Sequence, residues 1–389
     1  MYVLVLTTTI QALVSMAALT LPVLAPKMAQ DLGLTSTIAG YYIALLYLAA
    51  MPIALLGGDA VVRFGPIRVN QAGLISTAAG LALICTGNLE MCLLGTILLG
   101  LGYGPITPAS SHMLALSTPQ KNMSLVFSIK QTGVPLGGVL AGLVAPQLES
   151  LIGWRGTFLL ISVMCVACAA WAEKLRQQHD YYRNPNHAIG LALVKDLGQL
   201  LRISPTLRSL AIASMCFSTF QLTISTYLVT YLHEDFGYSL LSAGAAMSLA
   251  QAAGVVGRIV WGVTADRLIG SIGMLVTLAC AMSLSAIFLS FSSAGTPTTQ
   301  MMILVCIAGA CGLGWNGALL AEVTRKAPQG FAGRATGLIL SFTFTGVLFG
   351  PPLFGFIALQ ASSYKTAFLI VAIGPAIAAL LLFRQRKKF

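Results

Sequence analysis

Apolar residues in this chain neither alternate with polar ones nor gather on one helical face; they run on in blocks of about twenty. A block of that length, coiled as a helix, spans a hydrocarbon core of about 30 Å. The blocks fall near 2–24, 37–57, 69–88, 91–114, 121–147 and 154–172, and again near 207–232, 239–263, 271–292, 300–323, 335–359 and 365–384. They predict an all-α membrane protein with twelve transmembrane helices in two six-helix bundles. The first block has no basic run before it and no small-residue cleavage site, so it reads as a retained helix.

The longest polar stretch, 173–206, separates the two sets of blocks and carries an Asn184-Pro185-Asn186 turn signal. The expected division is therefore an N-terminal half over 1–172, a cytoplasmic linker over 173–206 and a C-terminal half over 207–389. Within the linker, Ile189–Leu201 is amphipathic and is expected to lie along the membrane surface. The halves repeat each other. Thr132-Gly133-Val134, Gly137 and Gly142 recur as Thr345-Gly346-Val347, Gly350 and Gly355, each 213 positions on, and Gly58 and Arg63 recur as Gly262 and Arg267. Parallel repeats of this kind imply a transporter with a pseudo-twofold axis along the membrane normal.

Composition sharpens the class. Hydrophobic residues are 57% of the 389 and charged residues only 8%, and the mean hydropathy is +0.86. A soluble domain carries about 25% charged residues, so most of this surface faces something other than water. Of the 22 Lys and Arg, 18 fall on one side if both termini are cytoplasmic; Lys27, Arg155 and Lys365 fall on the other and Lys130 lies within a block. That bias follows the positive-inside rule and sets the orientation in the inner membrane. It also accounts for the net charge of +11 through basic loops facing anionic lipid, with no nucleic acid partner. The eight cysteines all sit in apolar blocks, and the Cys165-Val-Ala-Cys168 spacing in mid-helix is read as packing, with no disulfide and no metal. No phosphate-binding G-x-x-x-x-G-K-[ST] run occurs and no nucleophile–base pair stands out, so the chain reads as a secondary transporter without cofactor and not as an enzyme.

An ionisable group deep in a membrane helix costs about 2.5–3.5 kcal/mol to insert and is a functional candidate for that reason. Lys130 lies about nine residues into the fifth block, with Gln131 and Thr132 beside it, and the repeat-equivalent position holds Thr343. Arg258 lies in the eighth block, four residues before Gly262. No Asp or Glu falls in the first nine blocks, and Glu322 near the end of the tenth is the one acid in any block. Two cations without a deep acid select anions by Coulomb attraction at low dielectric, and an arginine adds a bidentate grip on carboxylate or phosphate.

At the level of motifs the whole chain resembles the major facilitator superfamily. Gly262-Val263-Thr264-Ala265-Asp266-Arg267 resembles that family's G-x-x-x-D-R loop, with Gly270 one residue late; the first copy keeps Gly58, Arg63 and Gly65 but has Val62 at the acidic position and Asp59 displaced. Gly133-Val134-Pro135-Leu136-Gly137-Gly138 is similar to its G-P-x-x-G-G antiporter motif with Val and Pro exchanged, and Gly153-Trp154-Arg155 is another frequent feature. Gly257-Arg258-Ile259-Val260-Trp261-Gly262 resembles the R-x-x-x-G stretch of monocarboxylate carriers, where the arginine holds a carboxylate; their acid four residues earlier is Gly254 here. The resemblance implies a cavity lined by helices 1, 4, 7 and 10, which adds Gln11, Thr107, Gln221, Thr223, Tyr227, Trp315 and Asn316 to Lys130, Gln131 and Arg258 as substrate-facing candidates. It implies a charged latch among Asp266, Arg267, Glu322, Arg325 and Arg334, and a monomer. The function expected is alternating-access transport of a small organic anion, a carboxylate, across the inner membrane. The alternative is an efflux antiporter for neutral drugs or hydrophobic metabolites.

Overall fold

The computed structural model describes residues 2–117, 126, 129–181, 183–190, 204–327 and 332–386. Among these it is helical almost throughout, without a strand. The helices are α1 (Tyr2–Leu32), α2 (Ile38–Phe64), α3 (Pro66–Ile84), α4 (Leu89–Tyr103), α5 (Ile106–Ser117), α6 (Gly133–Ala172) and the short α7 (Arg176–His179). They continue as α8 (Pro205–Phe236), α9 (Leu240–Thr264), α10 (Gly270–Phe291), α11 (Thr298–Gly314), α12 (Asn316–Lys326), α13 (Ala332–Gln360), α14 (Tyr364–Val371) and α15 (Ile373–Arg386). Ten stretches of the described residues are long and apolar enough to cross a membrane. Two of them, Ile129–His179 and Leu240–Phe291, have 51 and 52 residues, about twice the length a bilayer needs. Each is interrupted by a glycine turn, so the ten stretches make twelve crossings. Several helices run past their apolar blocks, α1 to Leu32 and α8 to Phe236. Most of the expected surface segment Ile189–Leu201 lies outside the described residues.

Those glycine turns share one backbone geometry. Gly65 between α2 and α3 has φ 93° and ψ 147°. Gly153 within α6 has φ 71° and ψ 167°, and Gly270 at the head of α10 has φ 72° and ψ 159°. A side chain is strongly disfavoured there, which is why glycine stands at all three. The late arrival of Gly270 in its motif has a direct cause: Ala265–Ile269 forms a π-helical turn, and such a turn takes up one extra residue. The Gly153-Trp154-Arg155 motif is equally structural. Once the chain turns at Gly153, Trp154 Nε1 donates to Asp31 Oδ2 at 2.8 Å and the Arg155 guanidinium lies 4.2 Å from the indole centroid.

The chain divides into two compact units, Met1–Leu34 with Leu45–Leu191, and Thr35–Ala44 with Ala192–Phe389. In the first unit α1 lies along α6. A Cβ on Gly137 would fall 2.6 Å from Ser15 Cβ and 2.7 Å from the Met16 nitrogen, with the Ala12 carbonyl closer still. In the second unit α8 lies along α13, and Gly346 abuts the Met215 carbonyl and the Ser218 hydroxyl. The repeated Thr-Gly-Val segments are thus the close seams of two corresponding helix pairs. Lipid supplies no hydrophobic drive between helices, so packing of this closeness holds them together.

Residues 35–44 differ from the sequence division, which placed them in the N-terminal half. They join the second unit because α8 grips them: Tyr227 Oη donates to the Thr37 carbonyl at 2.8 Å, and the Ser36 hydroxyl donates to the Glu234 carboxylate. The linker also starts as a built element. Asp180 accepts from the Ile67 and Arg68 amides at 2.8 and 3.2 Å, capping the start of α3. Asp59, displaced from its motif position, accepts from the Gly190 amide at 3.0 Å and pairs with His187 Nε2 at 2.9 Å.

The seam makes a stability prediction. Gly137→Ala forces a methyl against the backbone of α1 and is expected to cost about 1–3 kcal/mol or more. Gly58→Ala, where nothing lies within 4 Å, is expected to leave stability unchanged. Thermal unfolding of the purified variants in one detergent compares them; equal midpoints would remove the seam as a determinant of packing.

Candidate functional site

Lys130 sits in the helical turn just before α6, and its side chain is 0% exposed. Its ammonium donates to Gln11 Oε1 of α1 at 3.0 Å and to Thr107 Oγ1 of α5 at 3.4 Å. Thr107 Oγ1 in turn donates to the same Gln11 oxygen at 3.1 Å, and Gln11 Nε2 reaches Ser15 Oγ at 3.5 Å. Three crossings of the first unit therefore converge on one buried positive charge. Among the described residues no carboxylate pairs with it. An ammonium has three donors, and these two oxygens take two. A buried cation held only by neutral dipoles is short of compensation that an anion would supply.

The local folding explains the convergence. The fourth crossing breaks between α4 and α5 at Gly104-Pro105, because a proline cannot continue the hydrogen-bond ladder. Thr107 stands in the first turn after the break. Gly133, three residues beyond Lys130, brings the chain against α1, where a Cβ would lie 2.9 Å from Gln11 Cβ.

The second unit carries a corresponding arrangement around the tenth crossing, which breaks at Trp315 between α11 and α12. Trp315 Nε1 donates to Gln221 Oε1 of α8 at 2.9 Å, and its ring meets Phe217 edge-on at 5.6 Å. Gln221 lies 210 positions after Gln11 and Trp315 lies 208 after Thr107, so each unit joins an amide on its first crossing to a donor at the break of its fourth. Arg258 Nε donates to the Leu313 carbonyl at 2.9 Å, and Trp261 Nε1 to the Ala310 carbonyl at 2.9 Å. Both of these α9 side chains thereby hold carbonyls in the last two turns of α11. Arg258, a candidate for gripping substrate, commits its Nε to the helix end beside Trp315. The role of Trp261 was missed, since an aromatic in an apolar run carries no sign that its N–H has a partner.

The remaining candidates are dispersed. Tyr227 is 0% exposed, its ring tilted against Phe354 and Tyr364 with centroids 4.8 and 6.2 Å away, and its hydroxyl is committed to Thr37. Asn316 opens α12, half-buried beside Trp315, and Gln131 is exposed. Of the five latch residues, Glu322 and Arg325 pair at 3.1 Å, as neighbours three apart on one helix do. Asp266 and Arg267 lie exposed in the π turn, without an ion pair among the described residues. The Arg334 side chain is outside the described residues.

Twelve crossings in two repeated sets, each with its helix break and amide, define a membrane transporter built from a duplicated bundle. The profile of the Major Facilitator Superfamily matches residues 5–344, and the chain belongs to that family. It is 22% identical over 366 residues to the Hexuronate transporter of Bacillus subtilis, covering 90% of this chain and 86% of that one. It is also 22% identical to the Probable sulfoacetate transporter SauU of Cupriavidus necator, covering 90% and 85%. Among solved structures, the nucleoside transporter NupG superimposes with a TM-score of 0.80 at 16% identity, covering 98% of this chain and 99% of that one. That last likeness concerns the fold alone.

The Trp315–Gln221 bond can be tested for the part it plays. Gln221→Leu strands the indole N–H and is expected to cost about 1–3 kcal/mol. Adding Trp315→Phe removes the stranded donor, so the double variant should lose less than the sum of the singles, with a coupling of about 0.5–3 kcal/mol. Thermal or denaturant unfolding of the four proteins gives the cycle; strict additivity would show that the bond contributes nothing.

Proposed function

We propose that this transporter moves a small organic anion, a carboxylate, across the inner membrane by alternating access, with both termini cytoplasmic. The observation that carries the reading is the fully buried Lys130 side chain, whose ammonium bonds Gln11 and Thr107 oxygens and, among the described residues, no carboxylate. A carboxylate arriving there exchanges water for a charge-assisted hydrogen bond, the stronger kind, and neutralises a cation that is costly to keep in the membrane. Gln11 holds the ammonium in place while the site is empty, and Thr107 links that hold to the break in the fourth crossing. In the second unit, Trp315 and Gln221, bonded to each other, are further candidates for substrate contact. Arg258 acts as a positioning residue, through the end of α11. The chain's likeness to a hexuronate transporter and a probable sulfoacetate transporter supports an anionic substrate. Glu322, held by Arg325, is the candidate for a gating or coupling charge.

Uptake into proteoliposomes, with glucuronate and sulfoacetate as probes, tests the assignment of Lys130. Lys130→Ala is expected to keep the unfolding midpoint, because a costly buried cation is gone, and to weaken binding of the transported anion about 10–100-fold. Lys130→Arg keeps the charge yet should bind poorly, since a planar fork does not fit the place of a compact ammonium. Near-native binding by Lys130→Ala would turn the assignment towards the neutral-metabolite exporter.

A further inference from the structure

Where the sixth crossing ends, the chain opens a hollow of about 380 Å³ lined by Arg176, Gln177, Asp180, Tyr181 and Arg183. Its position is fixed by the linker's attachment to the α2–α3 turn. Asp180 spends both carboxylate oxygens on the first amides of α3, and Gly65 leaves the space that this carboxylate occupies. Glu173, just before the hollow, accepts from Arg68, Gln71 and Arg176 at 3.1, 2.8 and 3.0 Å. Asn184, just after it, donates its amide to the Val62 carbonyl at 2.7 Å. The rim is therefore tied down on both sides.

Its charge is unbalanced. The Asp180 carboxylate faces the positive end of α3, which offsets its charge, and burial pushes its pKa above the usual carboxylate range. Arg176 shares Glu173 with Arg68 and Gln71. Arg183 has no ion pair among the described residues. Tyr181 stands 80% exposed at the rim. Since α3 is itself a crossing, a hollow fastened to its first residues lies at the depth of lipid headgroups. There an exposed tyrosine is an interfacial side chain, and paired guanidiniums match a phosphate diester.

We propose that this hollow is a binding site for the headgroup of an anionic phospholipid, with Arg176 and Arg183 on the phosphate and Tyr181 at the level of the glycerol. None of these residues belongs to the proposed transport site, so the two assignments stand or fall separately. A lipid held here links the bilayer to the linker and the α2–α3 turn.

The test uses the full chain purified in a neutral detergent, titrated with phosphatidylglycerol, with phosphatidylcholine of the same acyl chains, and with glycerol phosphate. Thermal unfolding and native mass spectrometry of lipid adducts read the result. Phosphatidylglycerol is expected to raise the midpoint and the other two to do so far less. Arg176→Gln and Arg183→Gln should each weaken the apparent phosphatidylglycerol affinity about fivefold, while Arg384→Gln, which removes a basic charge elsewhere, leaves it unchanged. Equal affinity in the Arg176 and Arg183 variants overturns the site. A full shift with glycerol phosphate alone assigns the hollow to a free anion and overturns the lipid, and so does an equal shift with phosphatidylcholine.

Discussion

A bilayer core offers no hydrogen-bond partner, and the whole architecture follows from that constraint. Each crossing is a helix because its backbone must satisfy itself. Departures from the helix fall at turns at a crossing's end and at breaks within a crossing. Gly65, Gly153 and Gly270 make the turns. The break at Trp315 is held by Arg258 and Trp261, which bond carbonyls of α11. A buried charge without a countercharge is the costliest breach of this constraint. Lys130 is such a group: among the described residues its ammonium meets two neutral acceptors and no carboxylate, which is only part of what a buried cation requires.

Duplication supplies the frame around it. Gly137 and Gly350 lie 213 positions apart and occupy corresponding seams, against α1 and against α8. Gln11 and Gln221 correspond in the same way, each bonded to the residue at or just past a helix break. The two units have since diverged chemically. The first joins its amide to a buried cation and the second to an indole.

Much of this was legible in the sequence because membrane helices announce themselves by length and charge bias. Twelve crossings, the duplication and the isolation of Lys130 all follow from one-dimensional pattern. What stayed hidden depends on side-chain direction. Nothing in the spacing shows that Arg258 turns its Nε to the Leu313 carbonyl, or that Tyr227 points to Thr37 and its aromatic neighbours. Of the charges that the resemblance groups as a latch, Asp266 and Arg267 lie exposed in the π turn and Glu322 pairs with the arginine three residues along its own helix. The spacing also gives no sign that Asp180 of the linker caps α3, or that Asp59 of α2 bonds the linker at His187 and Gly190.

The central claim is that the site pays attention to charge before shape. Calorimetric titration of the unmodified protein with a transported carboxylate and with its neutral amide, equal in size and outline, tests it most directly. The account predicts measurable binding of the carboxylate, weakened by added salt, and at least about tenfold weaker binding of the amide. Equal affinity for the two would contradict it.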